Sequence, residues 1–112
     1  MIEGDIGELN LGICQSDMDK LKACTIIFHS AATVRFDDPL KSAILLNTRG
    51  TREVCKLAQT MPHLKALIHV STAYIQPKNF YVQEKIYPTD SHWETYIEYA
   101  ENLDEEDRKS VV

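Results

Sequence analysis

A chain of 112 residues, 44% hydrophobic and 26% charged, has the composition of one small globular domain. Its formal net charge of −5 gives no electrostatic basis for binding nucleic acid, and no apolar run is long enough to cross a membrane. Three cysteines without a CxxC spacing leave one unpaired in any disulfide scheme, so a reduced, cytosol-facing compartment is expected.

The first predicted elements are a strand end, a short helix and a buried strand. Residues 1–5 indicate the end of a strand or the turn after it. Ser16–Cys24 predicts a helix with Ser16 or Asp17 as its N-cap and an apolar stripe on one face. Thr25–His29 is a continuous apolar run rich in β-branched residues, which is typical of a strand buried on both faces of a parallel sheet.

A long amphipathic helix and a second strand follow. Pro39 fits the first turn of this helix, with Asp37 or Asp38 as the cap. The helix is predicted to run from Leu40 to about Thr60, and Ala66–Val70 is the second buried strand. Two apolar runs separated by a helix of this length predict a right-handed crossover between parallel neighbours.

The chain becomes irregular after Ser71, and a last helix is expected from about Ser91 to Asp104. So few strands and one crossover helix leave much apolar strand surface in water unless more chain packs on it. The predicted fold class is therefore α/β, a Rossmann-like doubly wound parallel sheet that is incomplete. Residues 1–112 are expected to form its central part, as a fragment of a larger protein.

Small and polar residues follow both strands, at the edge where doubly wound sheets bind ligands. Ser30, Ala31 and Ala32 are small enough to let a flat ribose or nicotinamide approach the backbone. The same residues also suit a tight turn in which small side chains only relieve crowding. Ser71 ends the second strand, where it either donates a hydrogen bond to a substrate carbonyl oxygen or forms a local turn.

Two residues are unusual for the interior of an amphipathic helix. Asn47 lies on the apolar stripe of the long helix, where a buried amide needs hydrogen-bond partners. It either satisfies nearby backbone carbonyls or anchors a water molecule in a proton relay. Gly50 costs up to ~1 kcal/mol against alanine in a helix, which indicates close packing on a neighbouring segment.

Three segments together closely resemble the fatty acyl-CoA reductases, alcohol-forming members of the extended short-chain dehydrogenase/reductase superfamily. The segments are HSAATVRFDDPLKSAILLNTRGTREVCKLAQTM, LKALIHVSTAYI and QEKIYP, and the match runs from about Glu3 to Trp93. A lone HxAA or NxxGT pattern is typical of the whole superfamily, whereas HSAATVRFD and VSTAY narrow the resemblance to this family.

The resemblance implies roles for seven residues. Asp5 and Ile6 correspond to the segment that contacts the adenine ring of NADPH. Ser30, Ala31 and Ala32 correspond to the loop that lines the cofactor ribose. Asn47 resembles the helix asparagine of the catalytic tetrad and Ser71 the catalytic serine, and no metal ligand is implied.

Two elements of that family do not occur in this chain. The glycine-rich turn for the cofactor pyrophosphate is expected upstream, and the Tyr-x-x-x-Lys pair that supplies the proton is expected downstream. Tyr74 with Lys78 and Tyr81 with Lys85 have the spacing of that pair, but the working pair needs a helix. Pro77 argues against a helix between Tyr74 and Lys78, and the resemblance assigns the stretch with Tyr81 and Lys85 to a loop.

The resemblance implies a parent protein that uses NADPH to reduce long-chain fatty acyl-CoA to fatty alcohol, with a location at an organelle membrane. The 112-residue chain alone is expected to be inactive, because it lacks the pyrophosphate-binding turn. Two other classes stay open. One is another extended reductase or epimerase that acts on a sugar nucleotide or a small carbonyl compound, and the other is a non-catalytic nucleotide-binding protein of the same fold.

Overall fold

Two parallel strands joined by one long helix form the centre of the structure, a computed structural model that describes residues 1–103. The elements in chain order are α1 (Gln15–Leu21), β1 (Ile26–His29), α2 (Leu40–Ala43), a π-helical segment (Ile44–Arg49), α3 (Gly50–Gln59), β2 (Ala66–His69) and α4 (Trp93–Asn102). A short turn with left-handed backbone angles covers Leu9–Gly12, and a 3-10 turn covers Ala73–Ile75.

The parallel pairing predicted for the two apolar runs is confirmed. β1 and β2 are neighbours in register from Ile26 opposite Ala66 to His29 opposite His69. The Val70 N–H donates to the His29 carbonyl at 2.9 Å, so the hydrogen-bond ladder extends one residue past β2. This pairing brings the segments that follow both strands to one edge of the sheet.

The prediction that both strands are buried on both faces is wrong for the described part of the chain. β1 is covered only on the side toward α3, where Ile27 packs on the core and His29 is buried. On the opposite side Phe28 is 72% exposed, and every residue of β2 is exposed. Within residues 1–103, no second helical layer covers that side of the sheet, which is why its apolar side chains face solvent.

The long helix predicted from Leu40 to Thr60 is confirmed, with Thr60 as its C-cap. The π-helical winding of its middle was not predicted, since it leaves no signal in the apolar pattern. The helix cap predicted at Asp37 or Asp38 is wrong. Pro39 is itself the N-cap, because its extended ψ of 140° directs its carbonyl to accept the Ala43 N–H at 3.0 Å.

The buried residues form two apolar clusters on different sides of the long helix. One consists of Leu11, Val54, Leu57 and Met61, and the other of Ile44, Ile97 and Ala100. The predicted burial of Asn47 is wrong, because Asn47 is exposed in this chain. The helix packs on α4 near Ile44 and on the N-terminal segment beyond Gly50, so one continuous buried stripe does not exist.

The ends of the other elements differ from the prediction in small ways. Residues 1–5 pair with neither strand, and the chain enters a turn at Ile6. The N-cap of α1 is Cys14, so the predicted caps Ser16 and Asp17 are wrong; Asp17 lies in the first turn instead. The last helix spans Trp93–Asn102, and the predicted end at Asp104 lies outside the described residues.

No helix in residues 1–103 has both the length and the apolar character needed to cross a membrane.

Candidate functional site

Four of the seven predicted site residues lie at the carboxyl edge of the two strands. Ser30, Ala31 and Ala32 directly follow β1, and Ser71 lies two residues beyond β2. His29 and His69 end their strands as paired residues, so the two segments start at the same level of the sheet. All four small residues are exposed, which leaves this edge accessible to a ligand.

The loop after β1 is attached to the long helix at both of its ends. At its start the His29 Nε2 lies 2.9 Å from the Thr51 Oγ1. At its end the Thr33 N–H donates to the Asn47 Oδ1 at 2.9 Å, and the Asn47 Nδ2 donates to the Thr33 carbonyl at 3.2 Å. Asn47 and Thr51 lie one helical turn apart, so a single turn fixes both ends of the loop.

Asn47 therefore satisfies backbone groups of the loop, which is the first of the two roles that the sequence left open. Its side-chain amide uses both its donor and its acceptor on Thr33. The residue is exposed rather than buried, but the contact that it makes is long-range and links the helix to the loop. No sequence pattern names the partner, because the two residues are fourteen positions apart.

The hydrogen-bond geometry assigns the proton on His29. The Thr51 hydroxyl donates to the Asn47 carbonyl at 2.7 Å, so it accepts the bond from His29. Nε2 of His29 therefore carries a hydrogen. Burial, followed by the nearby charge of His69, lowers the pKa of His29 below its ordinary 6.5. The ring is accordingly neutral near pH 7.

A small pocket next to β1 brings three predicted cofactor residues together. It has a volume of about 270 Å³ and is lined by Asp5, Ile6 and Ala31, with His29 and Leu11 among its other walls. Ser30 and Ala32 flank Ala31 in the loop but do not line this pocket. The walls are largely apolar with one carboxylate, which fits the flat ring of a nucleotide base.

The segment that carries Asp5 and Ile6 packs tightly on the long helix at Gly50. A Cβ atom at Gly50 would lie 2.7 Å from both the Cγ1 and the carbonyl oxygen of Ile6. The close packing predicted for Gly50 is therefore confirmed, with Ile6 as the neighbour. One residue earlier, the Arg49 guanidinium donates to the Gly7 carbonyl and forms an ion pair of 3.2 Å with Glu101 of α4.

Sequence reasoning missed Glu53, a buried carboxylate on the same side of the helix. Glu53 is 3% exposed, and its Oε2 accepts the Asn10 N–H at 3.1 Å. Its Oε1 accepts hydrogen bonds from the Nε of Arg52 at 3.0 Å and from its Nη2 at 2.8 Å. Burial alone raises the pKa of Glu53, but the hydrogen bonds from Arg52 and Asn10, with the charge of Lys56, lower it below 4.5 overall. Glu53 is therefore ionised in the folded chain.

The two Tyr-x-x-x-Lys pairs are not arranged as a catalytic pair. Tyr74 lies in the 3-10 turn Ala73–Ile75, and the chain from 76 to 92 contains no helix. Lys85 lies over the ring of Tyr87, at 4.9 Å from its centroid. The helical geometry that aligns a lysine with a tyrosine four residues away is absent from this stretch, as the sequence predicts.

The chain matches the model of the male sterility protein family over residues 1–111. The chain belongs to this family. It is 43% identical over 105 residues to fatty acyl-CoA reductase 2 of Homo sapiens, which covers 93% of this chain and 20% of that protein. It is also 42% identical over 106 residues to the Drosophila melanogaster fatty acyl-CoA reductase named wat, which covers 94% of this chain and 20% of that protein. It is 38% identical over 105 residues to fatty acyl-CoA reductase 1 of Xenopus laevis, which covers 93% of this chain and 20% of that protein.

These findings confirm the resemblance to fatty acyl-CoA reductases that the sequence indicates. The male sterility family model describes an NAD-binding domain, which supports a nicotinamide cofactor. The parallel strand pair with its connecting helix agrees with part of a Rossmann-like fold. The chain spans about a fifth of the length of the relatives it matches.

Proposed function

We propose that this chain is the central part of the cofactor-binding domain of an NADPH-dependent reductase that converts long-chain fatty acyl-CoA to fatty alcohol. The likeness to the human fatty acyl-CoA reductase over 93% of the chain carries this proposal. The fixed loop between His29 and Thr33, at the ligand-binding edge of the sheet, supports it.

In this proposal the adenine end of the cofactor lies in the pocket beside β1. Ile6 and Ala31 supply apolar walls for the base, and Asp5 supplies a hydrogen-bond acceptor for its amino group. Ser30 and Ala32 extend the same loop toward the ribose. The absence of side chains larger than serine between His29 and Thr33 lets a sugar ring approach the backbone.

Ser71 is proposed to bind the substrate carbonyl oxygen. It lies exposed just past β2, on the edge that β1 shares, and its hydroxyl can donate to an oxygen on which negative charge develops. A bound nicotinamide cofactor supplies the hydride. Asn47 is proposed to act on the same site from the helix, by holding Thr33 and with it the loop that faces the cofactor.

We further propose that this domain faces the cytosol. Cys14, Cys24 and Cys55 are all free and exposed in the structure, which favours a reducing compartment. An attachment of the parent protein to an organelle membrane follows from the family resemblance alone.

The proposal is tested by assaying the complete protein that carries this chain. The purified protein is incubated with NADPH and a long-chain acyl-CoA, and the oxidation of NADPH and the alcohol product are both measured. We expect alcohol to form, with NADPH preferred over NADH. Turnover of a sugar nucleotide or a small aldehyde without acyl-CoA reduction would identify another extended reductase or epimerase. Binding of NADPH with no turnover of any of these would identify a non-catalytic nucleotide-binding protein.

A further inference from the structure

The segment that carries Asp5 and Ile6 is fixed to the long helix by a hydrogen bond that spans 43 residues. It joins the backbone N–H of Asn10 to the carboxylate of Glu53 in α3 at 3.1 Å. Glu53 is nearly fully buried, and every oxygen of its carboxylate has a partner. A buried carboxylate that accepts a backbone N–H forms one of the stronger hydrogen bonds found in proteins.

The backbone at Asn10 has a conformation that needs such support. Asn10, Leu11 and Gly12 have φ values of 53°, 59° and 58°, all in the left-handed region. This region disfavours side chains such as that of leucine. Leu11 nevertheless lies in the apolar core, and its carbonyl accepts the Asp5 N–H at 2.8 Å. The left-handed turn therefore links Glu53 to Asp5 through two hydrogen bonds, one at Asn10 and one at Leu11.

The two oxygens of Glu53 make different contacts. Oε1 accepts hydrogen bonds from Arg52 and, at 3.4 Å, from Lys56. These positive side chains of α3 balance the charge of the carboxylate. Oε2 remains for the Asn10 N–H, the contact that leaves the helix. The ion pairs keep the carboxylate ionised, and the ionised carboxylate holds the turn.

We propose that Glu53 is a positioning residue for the cofactor. It holds the left-handed turn at Asn10–Gly12 and thereby places Asp5 and Ile6 on the wall of the pocket beside β1. The inference rests on the proposed function in one respect, since it takes this pocket as the place of the adenine end of the cofactor. Glu53 itself does not line the pocket and acts only through the turn.

The test uses the complete protein with the variants Glu53→Ala and Glu53→Gln, and Lys56→Ala as the matched control. Lys56→Ala removes one contact to Oε1 and leaves the bond between Oε2 and Asn10 in place. Affinities for NADPH and for 2′,5′-ADP, which contains only the adenine half, are measured by calorimetry. The kcat at saturating NADPH and the KM for acyl-CoA are measured in parallel.

We expect Glu53→Ala to weaken the binding of NADPH and of 2′,5′-ADP roughly tenfold or more, the size of one lost hydrogen bond to a charged group. The kcat at saturating NADPH should stay within about twofold, because the reacting atoms are at the other end of the cofactor. Glu53→Gln keeps an oxygen for the Asn10 N–H, but it loses the charge and places its NH2 group against the Arg52 donors, so its affinity should lie between those of Glu53→Ala and the wild type. Lys56→Ala should bind both nucleotides like the wild type.

The outcomes separate this inference from the proposed function. A wild-type protein that binds neither nucleotide would refute the proposed function. A wild-type protein that binds both, with a folded Glu53→Ala variant of equal affinity, would show that Glu53 only stabilises the fold and would overturn the inference. If Glu53→Ala does not fold, Glu53→Gln decides. A weaker nucleotide affinity with an unchanged kcat in that variant would support the inference, whereas wild-type affinity, or equal losses in affinity and in kcat, would overturn it.

Discussion

The imidazole ring of His29 stacks on that of His69 with the ring centroids 5.0 Å apart, and the same two residues are backbone partners at the carboxyl ends of the parallel strands. His29 is 4% exposed and donates to Thr51 through Nε2. A second proton on His29 would place a positive charge in a buried position beside another imidazole. Protonation of His29 at low pH is therefore expected to destabilise the folded chain at this strand pair.

The first prediction concerns the stability of the complete protein between about pH 7.5 and about pH 5.5. The pKa of His29 is lowered in the folded state from 6.5, so the unfolded chain binds the proton first as the pH falls. The contribution of neutral His29 to the free energy of unfolding is complete above pH 6.5. It is lost as the pH falls below 6.5 and through the pKa that His29 has in the folded state. Urea unfolding at several pH values measures this loss.

His29→Gln should remove much of the pH dependence, because a glutamine can donate to Thr51 but does not titrate. His92→Gln, at the N-cap of α4, is the control and should keep the dependence of the wild type. An unchanged pH dependence in His29→Gln would show that other groups cause it.

The second prediction concerns the amide of Asn47. Asn47→Ala removes both hydrogen bonds to the Thr33 backbone and should lower the free energy of unfolding by about 1–2 kcal/mol. Asn47→Asp keeps the acceptor but not the donor, so its free energy of unfolding should lie between those of Asn47→Ala and the wild type. Urea unfolding gives the stability, and Asn79→Ala, whose amide contacts only nearby Gln76, should cost much less. Equal costs for the two alanine variants would contradict a role in holding the loop.

The third prediction concerns the contact between Gly50 and Ile6. Gly50→Ala gains up to ~1 kcal/mol of helix propensity, but its Cβ would lie 2.7 Å from the Ile6 backbone. The segment must move, so we expect a net destabilisation of about 1–3 kcal/mol. Gly7→Ala is the comparison, because its Cβ would meet only side-chain atoms of Asp5 and Leu46 at 3.2 Å. A Gly50→Ala protein as stable as the wild type in thermal melting would argue against this packing.

The fourth prediction concerns Ser71 and rests on the proposed reductase function of the complete protein. Loss of one donor to a developing oxyanion lowers kcat by roughly 10²–10³, so Ser71→Ala should fall in that range. The KM for NADPH should hardly change, since Ser71 is proposed to face the substrate carbonyl. Ser71→Thr retains a hydroxyl and should keep more activity.

Steady-state kinetics measure the effect of Ser71→Ala, with Ser91→Ala as a control at another exposed serine. A near-normal kcat in Ser71→Ala together with a lower melting temperature would identify the serine as a turn residue. A loss of NADPH binding alone would place it at the other end of the cofactor.

The strand pair and the long helix are predictable because each depends on a local pattern. Two β-branched apolar runs and a twenty-residue amphipathic stretch leave few alternatives to a parallel crossover. The helix starts were predicted less well, since Cys14 and Pro39 occupy N-cap positions without a side-chain hydrogen bond to a backbone N–H of the helix. Residue preferences for caps describe side-chain bonds, so they cannot detect caps of this kind.

The site divides in the same way. Ser30 and Ser71 follow strands, so their place at the ligand edge is predictable from the sequence. The burial of Glu53 is not predictable, because patterns place charged residues on the surface, and its long-range partner Asn10 lies 43 residues away in the sequence. The contact of Asn47 with Thr33 depends on the winding of the helix near Asn47, which no residue pattern predicts.

The π-helical segment Ile44–Arg49 also restricts the length of the chain at this point. Wider winding of this kind accommodates one residue more than regular α-helix. Deleting a residue there would rotate the preceding part of the helix by about 100° relative to α3. Ile44 would then turn away from Ile97, or Asn47 away from Thr33. Homologous chains that keep both contacts must therefore keep the number of residues between Ile44 and Gly50, even where the residues themselves are exchanged.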